Sequence, residues 1–332
     1  MRRSGYVICT LGVLTLLLLL ADLCVGSVDM PLSTVWAALS GGYCPDSIRT
    51  IVVDIRLVKA VVALVAGAAL SVSGLQMQTL FRNPLAGPYV LGISSGASLG
   101  VALLILGAPL MGLNPLLGDL GVAGAAWVGS AAVLAVITLV GRRISDIMVI
   151  LILGMMFSSG VGAVVQILQY LSDEHSLKSF VIWTMGSLAD VTSSQLWIML
   201  AAVLVGLLLA VGAMKALNLM LLGEEYARGM GLDVQRWRPI LFISTTLLAG
   251  TVTAFCGPIG FIGLAMPHVA RMAIGSSDHR VLMPATLLTG AAVMLLCDIV
   301  SKIYVLPVNA ITALLGIPVV VWIVLHNSAK AR

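Results

Sequence analysis

Long uninterrupted apolar runs dominate this chain and restrict what it can fold into. Each approaches the roughly 20 residues that a helix needs to cross a membrane. The runs lie at 6–25, 58–81, 90–108, 116–140, 147–171, 193–213, 239–256, 281–301 and 308–326. With 60% hydrophobic and 10% charged residues, a soluble domain could not cover this much apolar surface. A membrane β-barrel would show short alternating segments, so the sequence predicts an all-α polytopic membrane protein.

The first run follows Arg2 and Arg3 and has features of a secretory signal peptide. No small-residue cleavage site follows it, and the Asp-Leu-Cys at 22–24 is a poor lipidation motif. We therefore interpret this run as an uncleaved first span.

A shorter apolar run lies between 258 and 268, is rich in glycine and contains Pro258 and Pro267. It is too short for a regular span, and its prolines fit a short or broken helix. Counting it gives about ten transmembrane helices, with both termini on the same side of the membrane.

The lysine and arginine distribution predicts the orientation. If the N-terminus is cytoplasmic, thirteen of the 18 basic residues fall in inner segments, as the positive-inside rule expects. The five in outer segments are Arg49, Arg56, Lys59, Lys178 and Lys302. We therefore predict a cytoplasmic N-terminus and a cytoplasmic C-terminus.

A weak internal repeat is visible at an offset of 183 residues. The six residues Leu64, Ala66, Gly67, Gly74, Pro84 and Gly92 meet the identical residues Leu247, Ala249, Gly250, Gly257, Pro267 and Gly275. Under the predicted topology the two copies run in opposite directions, which is the pattern of an inverted repeat in transporters. Chance matching of abundant small residues is the alternative.

Most residues with ionisable or metal-binding side chains are scattered along the chain rather than grouped in motifs. The acidic residues lie in loops or near span ends, which argues against coupling to protons or sodium ions. There is no HExxH motif, no paired cysteine motif and no GxxxxGK[ST] motif for ATP, so we predict neither a metal site nor a resident cofactor. The net charge of +4 is too small and too dispersed to indicate nucleic-acid binding.

The inner segment 222–233 has the pattern of a short amphipathic helix. Glu224 and Glu225 suit its first turn, and Glu224 and Arg228 are i,i+4 neighbours. Such a helix is either a solvated connector or a contact site for a cytoplasmic partner.

Four stretches spread over most of the chain resemble the FecCD/BtuC type of ABC-importer permease, which moves iron–siderophores, haem or cobalamin. They are residues 56–74, 76–97, 222–231 and 257–271, and the most specific motifs are RNPLAGP at 82–88 and GPIGFIGLAMPHVAR at 257–271. One departure is Val58-Lys59, where the family usually has proline and arginine.

The resemblance implies one transmembrane permease domain over residues 1–332 in the bacterial inner membrane. It also implies a homodimer that works with two cytoplasmic ATP-binding subunits, which would hold the ATPase activity, so this chain is not expected to be an enzyme. Residues 222–233 match the coupling helix that seats on the ATPase. The implied contact residues are Leu222, Gly223, Glu224, Glu225, Arg228 and Gly229. The alternative is that only the apolar side, Leu222 and Met230, packs there.

The resemblance further implies a periplasmic binding protein that docks acidic residues onto outer basic residues of the permease. The candidates are Arg49, Arg56, Lys59 and Lys302. Local pairing with Asp46, Asp54 or Asp298 is the alternative explanation for these cations.

The family's cytoplasmic gate corresponds to two turns of this chain. Its residues match Asn83, Leu85, Ser145 and Asp146. Both turns also fit ordinary helix ends, since Asn83-Pro84 stops a helix and Ser145 is a suitable N-cap.

The fifth span carries residues that could line a translocation path without a tight polar site. They are Met155, Met156, Gln166 and Gln169. A methionine stripe is more often core packing, so this role is a hypothesis.

Two other functions remain open. One is an ABC permease for free metal ions. The other is a membrane-embedded enzyme, which should show paired histidines or clustered acids at one depth; the sequence shows neither.

Overall fold

The computed structural model describes residues 2–26, 30–110, 118–141, 144 and 146–330, and the regular elements in these ranges are helical. The first part of the chain forms α1 (Arg2–Cys24), α2 (Leu32–Ser40), α3 (Asp46–Thr50), a π-helical turn (Ile51–Leu57) and α4 (Val58–Leu80). The middle part forms a 3-10 turn (Pro88–Leu91), α5 (Ile93–Ala102), a π turn (Leu103–Gly107), α6 (Ala108–Leu110), α7 (Gly118–Gly141), α8 (Ile147–Leu171), α9 (Glu174–Thr184) and α10 (Ser193–Gly212). The last part forms α11 (Met214–Met220), α12 (Glu224–Gly229), α13 (Val234–Thr245), a π turn (Thr246–Gly250), α14 (Thr251–Cys256), α15 (Ile262–Ile274), α16 (His279–Tyr304) and α17 (Val308–Lys330).

Seven helices of the described part are long and apolar enough to cross a membrane. They are Ser4–Cys24, Ile93–Leu110, Gly121–Gly141, Ile147–Leu171, Ser193–Gly212, Val234–Cys256 and His279–Tyr304. Ile262–Ile274 and Val308–Trp322 are shorter apolar helices. The predicted all-helical membrane class is therefore confirmed, because only helices satisfy their own backbone hydrogen bonds in lipid. The count of ten crossings and the orientation of the termini stay predictions.

The short run at 258–268 is partly helical. Its first residues are non-helical, Phe261 has a φ of 66°, and α15 begins only at Ile262. The backbone N–H of Gly260 donates to Asn309 Oδ1 at 3.0 Å, so a side chain replaces a helical backbone partner at this break.

Two compact units make up the fold. Unit 1 comprises Met1–Val72, Ser187–Leu200 and Ile259–Arg332, and unit 2 comprises Ser73–Gly186 and Ala201–Pro258. The single permease domain expected over 1–332 stays a prediction.

In unit 1, α16 packs closely against both α1 and α4. Thr15 Oγ1 of α1 lies 3.3 Å from the Leu288 carbonyl oxygen. Where α4 approaches α16, a Cβ on Gly67 would lie 2.2 Å from the Gly290 oxygen, and a Cβ on Gly290 would lie 2.2 Å from Ser71 Oγ. Glycine at both positions therefore lets the two backbones touch, as small residues do in membrane bundles.

In unit 2, glycines also let the backbones of α5 and α7 approach each other closely. A Cβ on Gly96 would lie 2.5 Å from the Gly129 oxygen, and a Cβ on Gly100 would lie 2.0 Å from the Ala125 oxygen. Phe180 of α9 is buried in the adjoining apolar core. The backbone contact between α5 and α7 and the burial of Phe180 therefore pack these three helices closely together.

A buried polar network joins other helices of unit 2. Gln76 Nε2 donates to Ser244 Oγ at 2.9 Å, and Thr245 Oγ1 donates to Gln76 Oε1 at 2.9 Å. Ser244 Oγ in turn donates to the Gly206 carbonyl oxygen at 2.8 Å. The amide of Gln76 is thus bonded at both ends, as a polar group in an apolar interior requires.

The predicted repeat shows one local similarity and one local difference. Gly92 and Gly275 both have left-handed backbones, with φ of 76° and 69°. Pro84, however, lies in a turn after α4, whereas Pro267 lies inside α15. The inverted repeat stays a prediction.

Candidate coupling, gating and docking sites

The segment predicted as a coupling helix contains α12. Gly223, with a φ of 108°, precedes the helix, and Gly231, with a φ of 86°, ends the turn that follows it. The side chains of Leu222, Tyr226 and Met230 are 61%, 53% and 60% exposed, and Glu225 and Gly229 are exposed too. The segment therefore exposes the side chains of Leu222, Tyr226 and Met230 together with the carboxylate of Glu225. The sequence analysis overlooked Tyr226, although an aromatic residue on such a helix is a recognised interface signal.

An ion pair fixes the start of α12 to α13. Arg238 Nε donates to Glu224 Oε1 at 2.9 Å, and its Nη2 donates to Glu224 Oε2. The Arg238 side chain is only 7% exposed, so this bidentate pair is largely shielded from water. Arg228 Nη2 lies 3.7 Å from the same Glu224 carboxylate, which confirms the predicted i,i+4 pairing.

The two neighbouring glutamates of α12 therefore differ in environment. Glu224 is held by the scaffold, whereas Glu225 is exposed. The sequence analysis did not find Arg238 because it lies in α13, beyond the turn that follows α12, so helical periodicity does not relate it to Glu224.

The first predicted gate turn follows α4. Arg82 adopts a φ of 48°, and Asn83 Oδ1 accepts a hydrogen bond from the Leu85 backbone N–H at 2.9 Å. Leu85 is 45% exposed. A Cβ on Gly223 would lie 3.1 Å from Arg82 Nη1, so this turn contacts the residue that opens the coupling segment.

The second predicted gate turn precedes α8. Asp146 is the N-cap of α8, with Oδ1 accepting from the Met148 backbone N–H at 2.8 Å. Ser145 lies outside the described residues. The gating role of all four residues stays a prediction.

Both predicted docking arginines are bonded to backbone carbonyl groups in unit 1. Arg49 Nη2 donates to the Gly42 oxygen at 2.8 Å. Arg56 Nη1 donates to the Leu23 and Cys24 oxygens, both at 2.9 Å, and the residue is 6% exposed. Arg56 therefore satisfies carbonyl groups at the C-terminus of α1, where a cation is favoured.

The two predicted docking lysines form a buried ionic cluster with two aspartates. Lys59 Nζ lies 3.1 Å from Asp298 Oδ1, and Lys302 Nζ lies 2.9 Å from Asp298 Oδ2 and 2.8 Å from Asp22 Oδ1. Asp22 and Asp298 are both 0% exposed. Both lysines are thus paired locally with Asp298, which is the alternative considered for these cations. Their docking role stays a prediction.

Asp22 was overlooked in the sequence as a partner of Lys302. A signal was available, because an acidic residue inside an apolar run needs a buried partner. The identity of that partner, 280 residues away, required the structure.

The predicted path residues of α8 lie on two different surfaces. Met155 and Met156 are 50% and 66% exposed. Gln166 and Gln169 line a cleft of about 320 Å³. The other polar residues of this cleft are Ser94, Ser95, Ser98 and Thr184. The sequence analysis did not connect the α5 serines with the glutamines, and a path role for any of these residues stays a prediction.

A carboxyl group at the start of α9 has a perturbed pKa. Asp173 is the N-cap of α9, and hydrogen bonds from Ser176 hold the pKa of its carboxyl below the usual range. The carboxylate form is favoured because it accepts the Ser176 backbone N–H at 3.0 Å. Among the described residues, no three His, Cys, Asp or Glu come together as a metal site.

Known proteins match this chain along nearly its whole length. Residues 14–326 match the FecCD transport family. The hemin transport system permease protein HmuU of Yersinia pestis is 38% identical over 94% of this chain and 94% of its own length. The vitamin B12 import system permease protein BtuC of Klebsiella pneumoniae is 35% identical over 99% of this chain and 96% of its own.

A solved structure agrees with these relatives. An inward-facing metal-chelate-type ABC transporter superposes with a TM-score of 0.82 at 28% identity, covering 97% of this chain and 99% of that chain. The match to the family and to these relatives extends over both units. The chain is therefore a multi-pass membrane protein that belongs to the FecCD transport family, and it is the permease of a metal-chelate-type ABC importer.

Proposed function

We propose that this permease works as a homodimer in the bacterial inner membrane with two cytoplasmic ATP-binding subunits and a periplasmic binding protein. Its cargo is a metal chelate: a ferric siderophore, haem or cobalamin. The chain provides the passage, and ATP is hydrolysed by the partner subunits. The ten-helix topology with both termini inside belongs to the same proposal.

The observation that carries the proposal is the construction of α12. Its first turn is tied to α13 through the Glu224–Arg238 pair, while Leu222, Glu225, Tyr226 and Met230 remain exposed. A helix that is anchored on one side and apolar on the other is suited to transmit force from a partner. Contact of Arg82 with Gly223 offers a direct route from that helix to the turn with Asn83 and Leu85.

The cargo class is supported by the relatives. The names of two of them specify hemin and vitamin B12, both of which are large chelates. The neutral cleft with Gln166 and Gln169 fits a cargo that is passed on rather than tightly held. Choice among chelates would rest largely on the binding protein.

The experiment is uptake into proteoliposomes that contain the permease, its ATPase and its binding protein. We expect ATP-dependent accumulation of one labelled chelate among haem, cobalamin and a panel of ferric siderophores. The control replaces ATP with a non-hydrolysable analogue. Uptake of a free metal ion in place of every chelate, or failure of the ATPase to associate with the permease, would refute the proposal.

A further inference from the structure

A polar cavity of about 300 Å³ lies in unit 2 beside the coupling helix. It is lined by Thr138, Gly141, Ile144, Ile150, Arg228, Gln235, Arg238, Pro239 and Phe242. These residues come from the end of α7, the start of α8, and the segment from α12 to α13. The cavity therefore lies at the ends of the spanning helices α7 and α8, and we expect this level to be that of the lipid head groups.

The polar groups of this cavity suit an anion. Arg228 and Arg238 share one carboxylate, that of Glu224, so the three side chains together carry one positive charge. Arg238 bonds both Glu224 carboxylate oxygens and the Ile144 carbonyl oxygen, whereas Arg228 lies 3.7 Å from the Glu224 carboxylate and is 47% exposed. The Arg228 guanidinium can therefore bind an anion without giving up a close partner.

One buried hydroxyl group in the cavity lacks a protein partner. Thr138 Oγ1 is buried and has no hydrogen-bond partner in the part of the chain that the structure describes. A buried hydroxyl without a partner is costly, so a ligand oxygen at this position would be stabilising. Gln235 provides an amide on the same lining.

An apolar groove of about 340 Å³ adjoins the polar cavity. All of its lining residues are apolar: Val136, Ile137, Val140, Ile150, Leu153, Met156 and Phe157. Ile150 lines both spaces, so the polar cavity and the groove are neighbours. The groove follows the spanning helices α7 and α8, and Met156 is 66% exposed on it.

We propose that the cavity and groove together bind an anionic phospholipid, with the phosphate near Arg228 and Thr138 and an acyl chain between α7 and α8. A free phosphate would use only the cavity, and a carboxylate of a partner protein would leave the groove empty. An anionic amphiphile is the ligand class that uses both. Basic pockets between spanning helices on the cytoplasmic side are established sites for such lipids. This inference goes beyond the transport function.

The test measures lipids retained by the purified permease in nanodiscs of phosphatidylglycerol and phosphatidylcholine with the same acyl chains. Native mass spectrometry counts the retained lipids after release. We expect several-fold enrichment of phosphatidylglycerol over phosphatidylcholine. Millimolar inorganic phosphate should not displace it, because phosphate cannot fill the groove.

Two variants probe the head-group contact and one probes the groove. Thr138→Val and Arg228→Gln should each remove most of the enrichment. Leu153→Trp should lower it by filling the groove. Arg280→Gln is the matched control, since it removes an exposed arginine that does not line the cavity, and it should retain the enrichment. Thermal unfolding of each variant verifies that it is folded. If one variant fails to fold, Gln235→Leu, which changes an exposed residue, is tested in its place.

Three results would overturn the proposal. Equal retention of the two lipids would show no anionic site. Displacement by inorganic phosphate would indicate a free-anion site. Loss of ATPase association in Arg228→Gln with unchanged lipid enrichment in all variants would assign the cavity to the partner subunit.

Discussion

At the residue scale, adjacent glutamates on one short helix are expected to have separate roles. Glu224 accepts two hydrogen bonds from buried Arg238, whereas Glu225 is exposed. A charge-assisted pair that is shielded from water stabilises the fold, and an exposed charge mainly affects association with a partner.

Substitution of each glutamate should separate these roles. Glu225→Lys should weaken association with the ATPase subunit while the melting temperature stays unchanged, because no scaffold contact is lost. Glu224→Gln should lower the unfolding free energy by about 1–3 kcal/mol, since Arg238 loses a charged acceptor. Pull-down of the ATPase and thermal unfolding in detergent measure the two effects. Equal loss of stability in both variants would contradict the assignment.

Arg56 combines a structural contact with a proposed docking role. Its guanidinium bonds the Leu23 and Cys24 carbonyl oxygens, so Arg56→Glu should lower the melting temperature. If Arg56 also steers the binding protein, the variant should bind it more weakly and with a smaller salt dependence, because screening acts over about 8 Å at physiological ionic strength. Binding titrations across a salt series measure this. Lower stability with unaltered docking would restrict Arg56 to the C-terminus of α1.

At the element scale, close helix packing in unit 1 depends on glycines rather than on apolar area. Lipid and side chains are similarly apolar, so helices in membranes gain from close van der Waals contact. Gly67 and Gly290 provide that contact between α4 and α16. The same interface brings Lys59 and Asp298 together.

Gly290→Ala should therefore disrupt the α4–α16 interface. The new Cβ would lie 2.2 Å from Ser71 Oγ and 2.3 Å from the Gly67 oxygen, and backbone atoms cannot move aside at low cost. We expect a loss of about 1–3 kcal/mol, measured by thermal unfolding in detergent. Gly124→Ala is the control, because nothing lies within 4 Å of its Cβ, and it should leave the melting temperature unchanged or slightly raised. A similar loss in both variants would show that helix propensity rather than packing is responsible.

At the scale of the whole molecule, the orientation of the chain is the property on which the proposed partners depend. The proposal requires the ATPase to reach α12 from the cytoplasm and the binding protein to reach Arg49 and Lys302 from outside. Seven helices of the described part of the chain meet the length and hydropathy of a span. Whether the short helix α15 crosses the membrane determines which side the segment with Asp278 faces.

Single cysteines introduced into a cysteine-free background test this topology. None of the five native cysteines forms a disulfide, so their replacement breaks none. Cysteine at positions 50 and 178 should react with a membrane-impermeant reagent from outside, and cysteine at 228 and 278 only after the membrane is opened. Labelling of position 278 from outside would rule out a membrane crossing near 258–268 and therefore the ten-helix topology.

The sequence by itself determined the membrane class, the helical fold and the family. Apolar runs of spanning length allow only helices, because each helix satisfies its backbone groups locally. The motifs at 82–88 and 257–271 are local as well, and so are the start of α12 and its Glu224–Arg228 pair. Spanning helices, motifs, helix starts and i,i+4 pairs depend on residues that are close together in the chain, so they can be predicted from the sequence.

Only the tertiary structure decided which distant groups meet. The Asp22–Lys302 pair, the Glu224–Arg238 pair and the Gly67–Gly290 contact join residues on different helices, and periodicity within one helix does not relate them. The polar cavity and its apolar groove also depend on how α7, α8 and α13 pack. The energy of such contacts depends on distances of a few ångströms between helices, and a single sequence carries the residues but not these distances.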